Sequence, residues 1–187
     1  MRDHPIADVG TEAALKSKGI APSVAGSPPT LVVGLGNPIL GDDGVGWRVA
    51  DRVRKEIRAR RIPAEVDCLA VGGLALMERL IGYERAILVD AITTGMDPPG
   101  SVRRLRLEDL QEFGGCHLGS AHDTSLQTAL RVGAALGASL PKQLWIVSVE
   151  IERNFDFGGE LTPRVEAAVA GATELVLEAL LAGTGKE

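Results

Sequence analysis

Aromatic side chains are scarce in this chain: Trp, Tyr and Phe make up 3% of its 187 residues. Val, Leu, Ile and Ala must therefore fill any core. Cysteine is scarce too. Cys68 and Cys116 are the two present, far apart. That excludes a disulfide framework and a zinc-type CxxC pair, and fits reduced thiols. No apolar run approaches membrane-spanning length. The N-terminus shows neither the basic-then-apolar order of a signal peptide nor a twin arginine, so the expected location is cytoplasmic. Positive charge is not in excess. The net charge of -5 argues against a nucleic-acid partner, because binding phosphates needs a local surplus of Lys and Arg. Arg52, Arg54, Lys55, Arg58, Arg60 and Arg61 do cluster, and they read as the solvated face of a helix.

What remains is ordinary for a globular protein: 45% hydrophobic and 24% charged residues. Residues 1–29, rich in Pro, Gly, Ser and Ala, are expected to form a flexible leader. Residues 30–187 are expected to form a single α/β domain. Leu31–Leu35 reads as a buried strand. Val45, Val49, Val53 and Ile57 recur every four residues, as on a helix. Glu65–Leu69, Ala86–Val89, Val102–Leu107 and Leu144–Ile151 read as further strands, with the third expected to be antiparallel at an edge. Leu74, Met77, Leu80 and Ile81 suggest a short helix, Glu108–Phe113 another, and Leu126–Ala134 a third. Thr162 and Pro163 suit the N-cap and first position of a last helix, with Glu166 near the capping-box position. Alternation of strands and helices predicts a three-layer α/β sandwich. Its sheet should be mostly parallel and twisted, of about five strands, with helices on both faces.

The richest segment is LVVGLGNPILGDDGVG, Leu31–Gly46. A strand ending in a carboxylate-bearing loop that opens a helix is where such sheets place their chemistry. Gly34-Leu35-Gly36 resembles the start of a dinucleotide fingerprint. The third glycine is misplaced, however, and Asp42 and Asp43 stand where phosphate would go. No Gly-Lys-Ser/Thr follows, which excludes a Walker loop. GxSxG and HExxH are also missing. Asp123-Thr124-Ser125 only partly echoes the aspartic-protease motif. Cys116-His117 is adjacent, but adjacency does not align a thiol with a base.

Asp43, Asp90 and His122 each fall near the end of a strand or the start of a helix. Two carboxylates and an imidazole suit a divalent transition metal with open positions. The alternative gives each a separate task. Asp42 or Asp43 would cap the first helix, Asp90 would accept backbone donors at the carboxyl end of its strand, and His122 would flank the next helix.

Three segments together resemble the hydrogenase maturation proteases. They are Gly34-Leu35-Gly36-Asn37 with Gly41-Asp42-Asp43-Gly44-Val45-Gly46, then Ile87-Leu88-Val89-Asp90-Ala91, then Ser120-Ala121-His122-Asp123-Thr124-Ser125-Leu126. Gly159-Glu160-Leu161-Thr162-Pro163 fits as well. The resemblance spans residues 31–181. It implies an aspartic-type endopeptidase that removes the C-terminal extension of the [NiFe] hydrogenase large-subunit precursor after nickel insertion. Nickel, brought by the substrate, would be the recognition signal. Carried over by position, the metal-binding residues fall on Asp43, Asp90 and His122. Asp43 and Asp90 are also the catalytic candidates, with Asp42 a further possibility. The first of these positions is often Glu in the family and is Asp here. Gly72 and Gly73 match a glycine-rich loop that accepts the substrate tail. Asp42 is expected to cap the following helix or support the loop, and Asp43 to contact the metal, while Gly36 and Gly41 bend the chain. A non-catalytic nickel-binding chaperone is the alternative function. Leu31–Pro38 also resembles the opening of peptidyl-tRNA hydrolases, but Ile39–Gly46 lacks their Tyr and His-Asn pair.

Overall fold

A computed structural model describes residues 29–107, 126–152 and 157–182. Most of the expected leader, the Glu108–Phe113 segment, Cys116, His117 and His122 lie outside the described residues. The elements run β1 (Thr30–Leu35), a short 3-10 turn (Gly41–Gly44), α1 (Val45–Arg60), β2 (Glu65–Leu69), α2 (Gly73–Leu80), β3 (Arg85–Ile92), β4 (Val102–Arg106), α3 (Leu126–Ala135), β5 (Gln143–Glu150) and α4 (Pro163–Ala182).

The five strands form one sheet in the order β2-β1-β3-β5-β4. β1, β2, β3 and β5 are parallel, and β4 lies antiparallel to β5 at the edge. The α/β architecture expected from the alternation is therefore the one observed.

Period-two alternation divides the apolar residues between two cores. Val32, Ile87, Val89, Val147 and Val149 face one way and pack with Val49, Val53 and Ile57 of α1 and Val169, Val176 and Leu180 of α4. Leu31, Val33, Leu88 and Ile146 face the other way, with Leu76 and Leu80 of α2 and Leu126 of α3. The every-fourth-residue stripe read in α1 is thus its buried face. In α2 the stripe differs from expectation. Leu76, Met77 and Leu80 are buried, whereas Leu74 in the first turn is exposed, and so is Ile81, because the helix stops at Leu80 and Ile81 turns to an extended conformation.

Two departures bear on the site. Asp90 was expected at the carboxyl end of its strand, but β3 runs two residues further. Ala91 and Ile92 continue the pairing, opposite Val149 and Glu150 of β5. The first helix also lies very close to β1. A Cβ at Gly46 would meet the Leu35 and Val89 carbonyl oxygens, so the helix starts directly above β1 and β3 only because that side chain is missing.

Candidate active site

The strand order reverses between β1 and β3. The chain leaves β1 through α1 towards β2 on one side, while β3 has β5 on its other side. Loops that diverge at such a point leave a crevice at the carboxyl edge of the sheet, where open α/β folds hold ligands. The loop after β1 carries Asp42 and Asp43, and β3 carries Asp90. The crevice thus brings together residues about fifty positions apart.

The loop is shaped by backbone requirements. Gly36 has φ +109° and Gly41 has φ +54°, a region that favours glycine. A Cβ on Gly36 would collide with the Asp43 carbonyl oxygen, so the turn closes tightly on itself. Asn37 starts an Asx turn, its Oδ1 accepting from Ile39 N–H at 3.2 Å. The Asn37 backbone N–H donates to Asp43 Oδ2 at 2.6 Å. One oxygen of the Asp43 carboxylate is therefore held by the chain that enters the loop.

Asp42 and Asp43 point to different jobs. Asp42 is buried, and its Oδ1 accepts from Thr162 N–H at 2.6 Å while its Oδ2 accepts from the Thr162 hydroxyl at 2.9 Å. Thr162 immediately precedes α4, and its carbonyl accepts the Glu166 N–H. Neither Asp42 nor Asp43 caps the helix that follows the loop. The residue before α1 is Gly44, and no side chain caps that helix. Asp42 instead ties the loop to the start of the last helix.

Asp90 is buried, 5% exposed. Its side chain follows the alternation of Ala86 and Leu88, towards the α2/α3 side of the sheet. Burial first, and the charge of nearby Asp43 second, push its carboxyl well above the usual carboxylate range, against a hydrogen bond with the Ala91 backbone. Asp43 is thus the carboxylate that contributes, after burial, to the raised pKa of Asp90. Such a pair attracts either a shared proton or a cation. Among the described residues no three His, Cys, Asp or Glu side chains gather as a metal cluster. The described part of the site therefore offers two oxygen-bearing groups. Gly72 and Gly73 follow β2 at the same edge, Gly72 just before α2 and Gly73 its first residue, at φ +54°.

One residue here escaped the sequence reading. Glu150, at the end of β5, is buried and accepts from Thr94 N–H, the Thr94 hydroxyl and Gly95 N–H at 2.7, 2.7 and 2.8 Å. It holds the loop that leaves β3 just after Asp90. The available signal was an acid closing an otherwise apolar strand, Leu144–Val149.

An open α/β sheet with a buried carboxyl on β3 and a second carboxylate on the loop after β1 has acidic groups at its switch point, where such sheets hold ligands. Comparison with known proteins goes further. A model of the hydrogenase maturation protease family matches residues 51–179, a span that includes Asp90 and begins after Asp43. The hydrogenase expression/formation protein HupD of Thiocapsa roseopersicina is 32% identical over 82% of this chain and 68% of its own length. The hydrogenase 2 maturation protease of Escherichia coli is 31% identical over 80% of this chain and 89% of its own. The solved structure of the E. coli hydrogenase maturating endopeptidase HybD superposes with a TM-score of 0.67 at 28% identity, covering 82% of this chain and 92% of that one. The chain belongs to the hydrogenase maturation protease family.

Proposed function

We propose that this protein is an endopeptidase that removes the C-terminal extension of a [NiFe] hydrogenase large-subunit precursor once nickel has been inserted. The observation that carries the reading is the packing of the turn that bears Asp43 against β3, the strand that bears Asp90, at the switch point of the sheet, in a chain of this family. Two carboxylates that repel, one of them buried, are strained while both are charged. A nickel ion presented by the substrate offsets both the repulsion and the burial, so a loaded precursor binds better than an empty one. That is how nickel would serve as the recognition signal. His122 would be the third contact.

In this reading Asp43 and Asp90 meet the metal and the scissile peptide, which makes the enzyme aspartic-type in its reliance on carboxylates. The metal, held by its own precursor, would polarise the scissile carbonyl. Alternatively one carboxylate takes the proton of an attacking water, as a general base. Gly72 and Gly73 would accept the substrate tail through backbone groups. Exposed Ile39, Met96 and Phe157 stand on the loops after β1, β3 and β5, which suits a polypeptide substrate. No helix among the described residues is long and apolar enough to cross a membrane, and Cys68 is a free thiol. Action in the cytoplasm belongs to the same proposal.

The test is incubation of the protein with nickel-loaded precursor, followed by gel mobility and by a pull-down. Wild type is expected to shorten the precursor. Asp90→Asn should lower the rate at least about a hundredfold, the scale on which catalytic acid–base groups act. If association persists while cleavage is lost, Asp90 is more than a nickel ligand. Binding without any cleavage by wild type would instead support a nickel-binding chaperone.

A further inference from the structure

The last helix reaches the catalytic loop through a seam of five hydrogen bonds. Gly41 N–H donates to the Gly158 carbonyl at 2.7 Å, and Gly158 N–H returns one to the Ile39 carbonyl at 3.1 Å. Arg48 Nη2 donates to the Gly159 carbonyl at 2.7 Å. The remaining two are the bonds from Thr162 to the two carboxylate oxygens of Asp42. Among the five, these are the ones that act on a side chain within the turn that also carries Asp43.

Asp42 and Asp43 are consecutive in the Gly41–Gly44 turn, which is 3-10 helical. With three residues per turn, successive side chains leave such a helix about 120° apart. Anchoring Asp42 towards α4 therefore fixes the rotation of the turn, and with it the direction in which Asp43 leaves. The turn packs against β3, the strand that carries Asp90, so the direction in which Asp43 leaves decides whether it faces that residue. On its other side Asp43 is steadied by the Asn37 N–H.

We infer that Asp42 and Thr162 form a clamp between the β1–α1 loop and α4 that aims the Asp43 carboxylate at Asp90, so both act as positioning residues for the reaction. The link to catalysis rests on the proposed function; the aiming itself does not. The clamp also accounts for an adjacent acid pair in the loop: one acid faces the crevice, and the other spends both oxygens on Thr162.

Three variants test it: Thr162→Val, which removes the hydroxyl at nearly constant shape, Thr162→Ser, which keeps it, and Asp42→Ala. The first readout is the Asn37 amide resonance in a ¹H–¹⁵N spectrum, because that N–H reports the Asp43 carboxylate and lies far in sequence from Thr162. Thr162→Val should move it towards the position of an unbonded amide, and Thr162→Ser should restore most of its wild-type shift. The second readout is precursor cleavage. Asp42→Ala should lower kcat at least about tenfold while KM stays within about twofold, as for a misaimed group rather than a lost contact. An Asn37 amide unmoved in both Thr162→Val and Asp42→Ala, the latter of which also removes the acceptor of the Thr162 N–H, with only a lower melting temperature, overturns the clamp and leaves a structural seam. Should wild type fail to cut the precursor, the proposed function falls, while the Asn37 resonance still decides the clamp.

Discussion

Asp90 combines burial, a charged neighbour and a place in the middle of a β-pairing, between Val89 and Ala91 opposite Val147 and Val149. Its raised pKa is also a statement about stability. A carboxyl that holds its proton more tightly in the fold than in the unfolded chain gains nothing below the unfolded value. As pH rises above about 4, the unfolded chain ionises first and the fold loses stability, until the folded-state pKa is passed. Asp90→Asn removes that ionisation. In chelator-treated protein the variant should therefore gain stability relative to wild type as pH rises above about 4. Urea titrations of both proteins at several pH values measure it, and a constant difference across the range would contradict the assignment. The same residue shows the limit of local reading. Its position near a strand end was legible. Its pairing with Asp43 was not, because nothing in either segment alone encodes the distance between them.

Helix ends carry the next level of information. α1 finishes at Arg60, and Arg61 follows with φ +54°, the one non-glycine residue at positive φ among the described residues. Its N–H donates to the Arg58 carbonyl, and Ile62 N–H donates to the Ile57 carbonyl. This is a Schellman ending, and Ile62 packs against the core that contains Ile57. Glycine is the residue suited to that position. Arg61→Gly should raise stability by about 0.5–1 kcal/mol, since relief of left-handed strain exceeds the added flexibility of the unfolded chain. Thermal melting at fixed pH reads the gain. A lower melting point would mean that the arginine side chain contributes more than its backbone costs. The element α4 was also read well at its start. Thr162 and Pro163 do open it, and a glutamate lies four residues on. What the capping pattern did not reveal is that the Thr162 hydroxyl serves Asp42 of a distant loop. A threonine before a proline looks the same whether its partner is its own helix or another element.

Over the whole molecule, one sheet separates two apolar cores. The ends of α4 are both tied to the sheet side of the fold: Thr162 to Asp42 at its start, and the Ala179 and Leu180 carbonyls to the buried Arg85 guanidinium at its finish. A cation at a helix C-terminus suits both the helix dipole and the free carbonyls there. Leu88 lies in the opposite core, fully buried and two residues from Asp90 on the same face. Leu88→Ala should cost about 2–5 kcal/mol, the range for a leucine cavity that relaxes incompletely. Denaturant unfolding measures it. A loss under about 1 kcal/mol would mean the α2/α3 side collapses around the gap.

The chain by itself determined the alternation of strands and helices, the buried face of α1 and the residues able to carry chemistry, because periodicity and glycine placement act over a few residues. Its segments also carried the family resemblance. The tertiary structure decided which acid does what. In the sequence Asp42 and Asp43 are neighbours of the same type, and each could cap, support or bind. In the fold Asp42 turns to Thr162, while Asp43 comes near Asp90 and raises its pKa. That division depends on where α4 and β3 lie relative to one turn, and such distances are set by packing across the sheet rather than by local pattern.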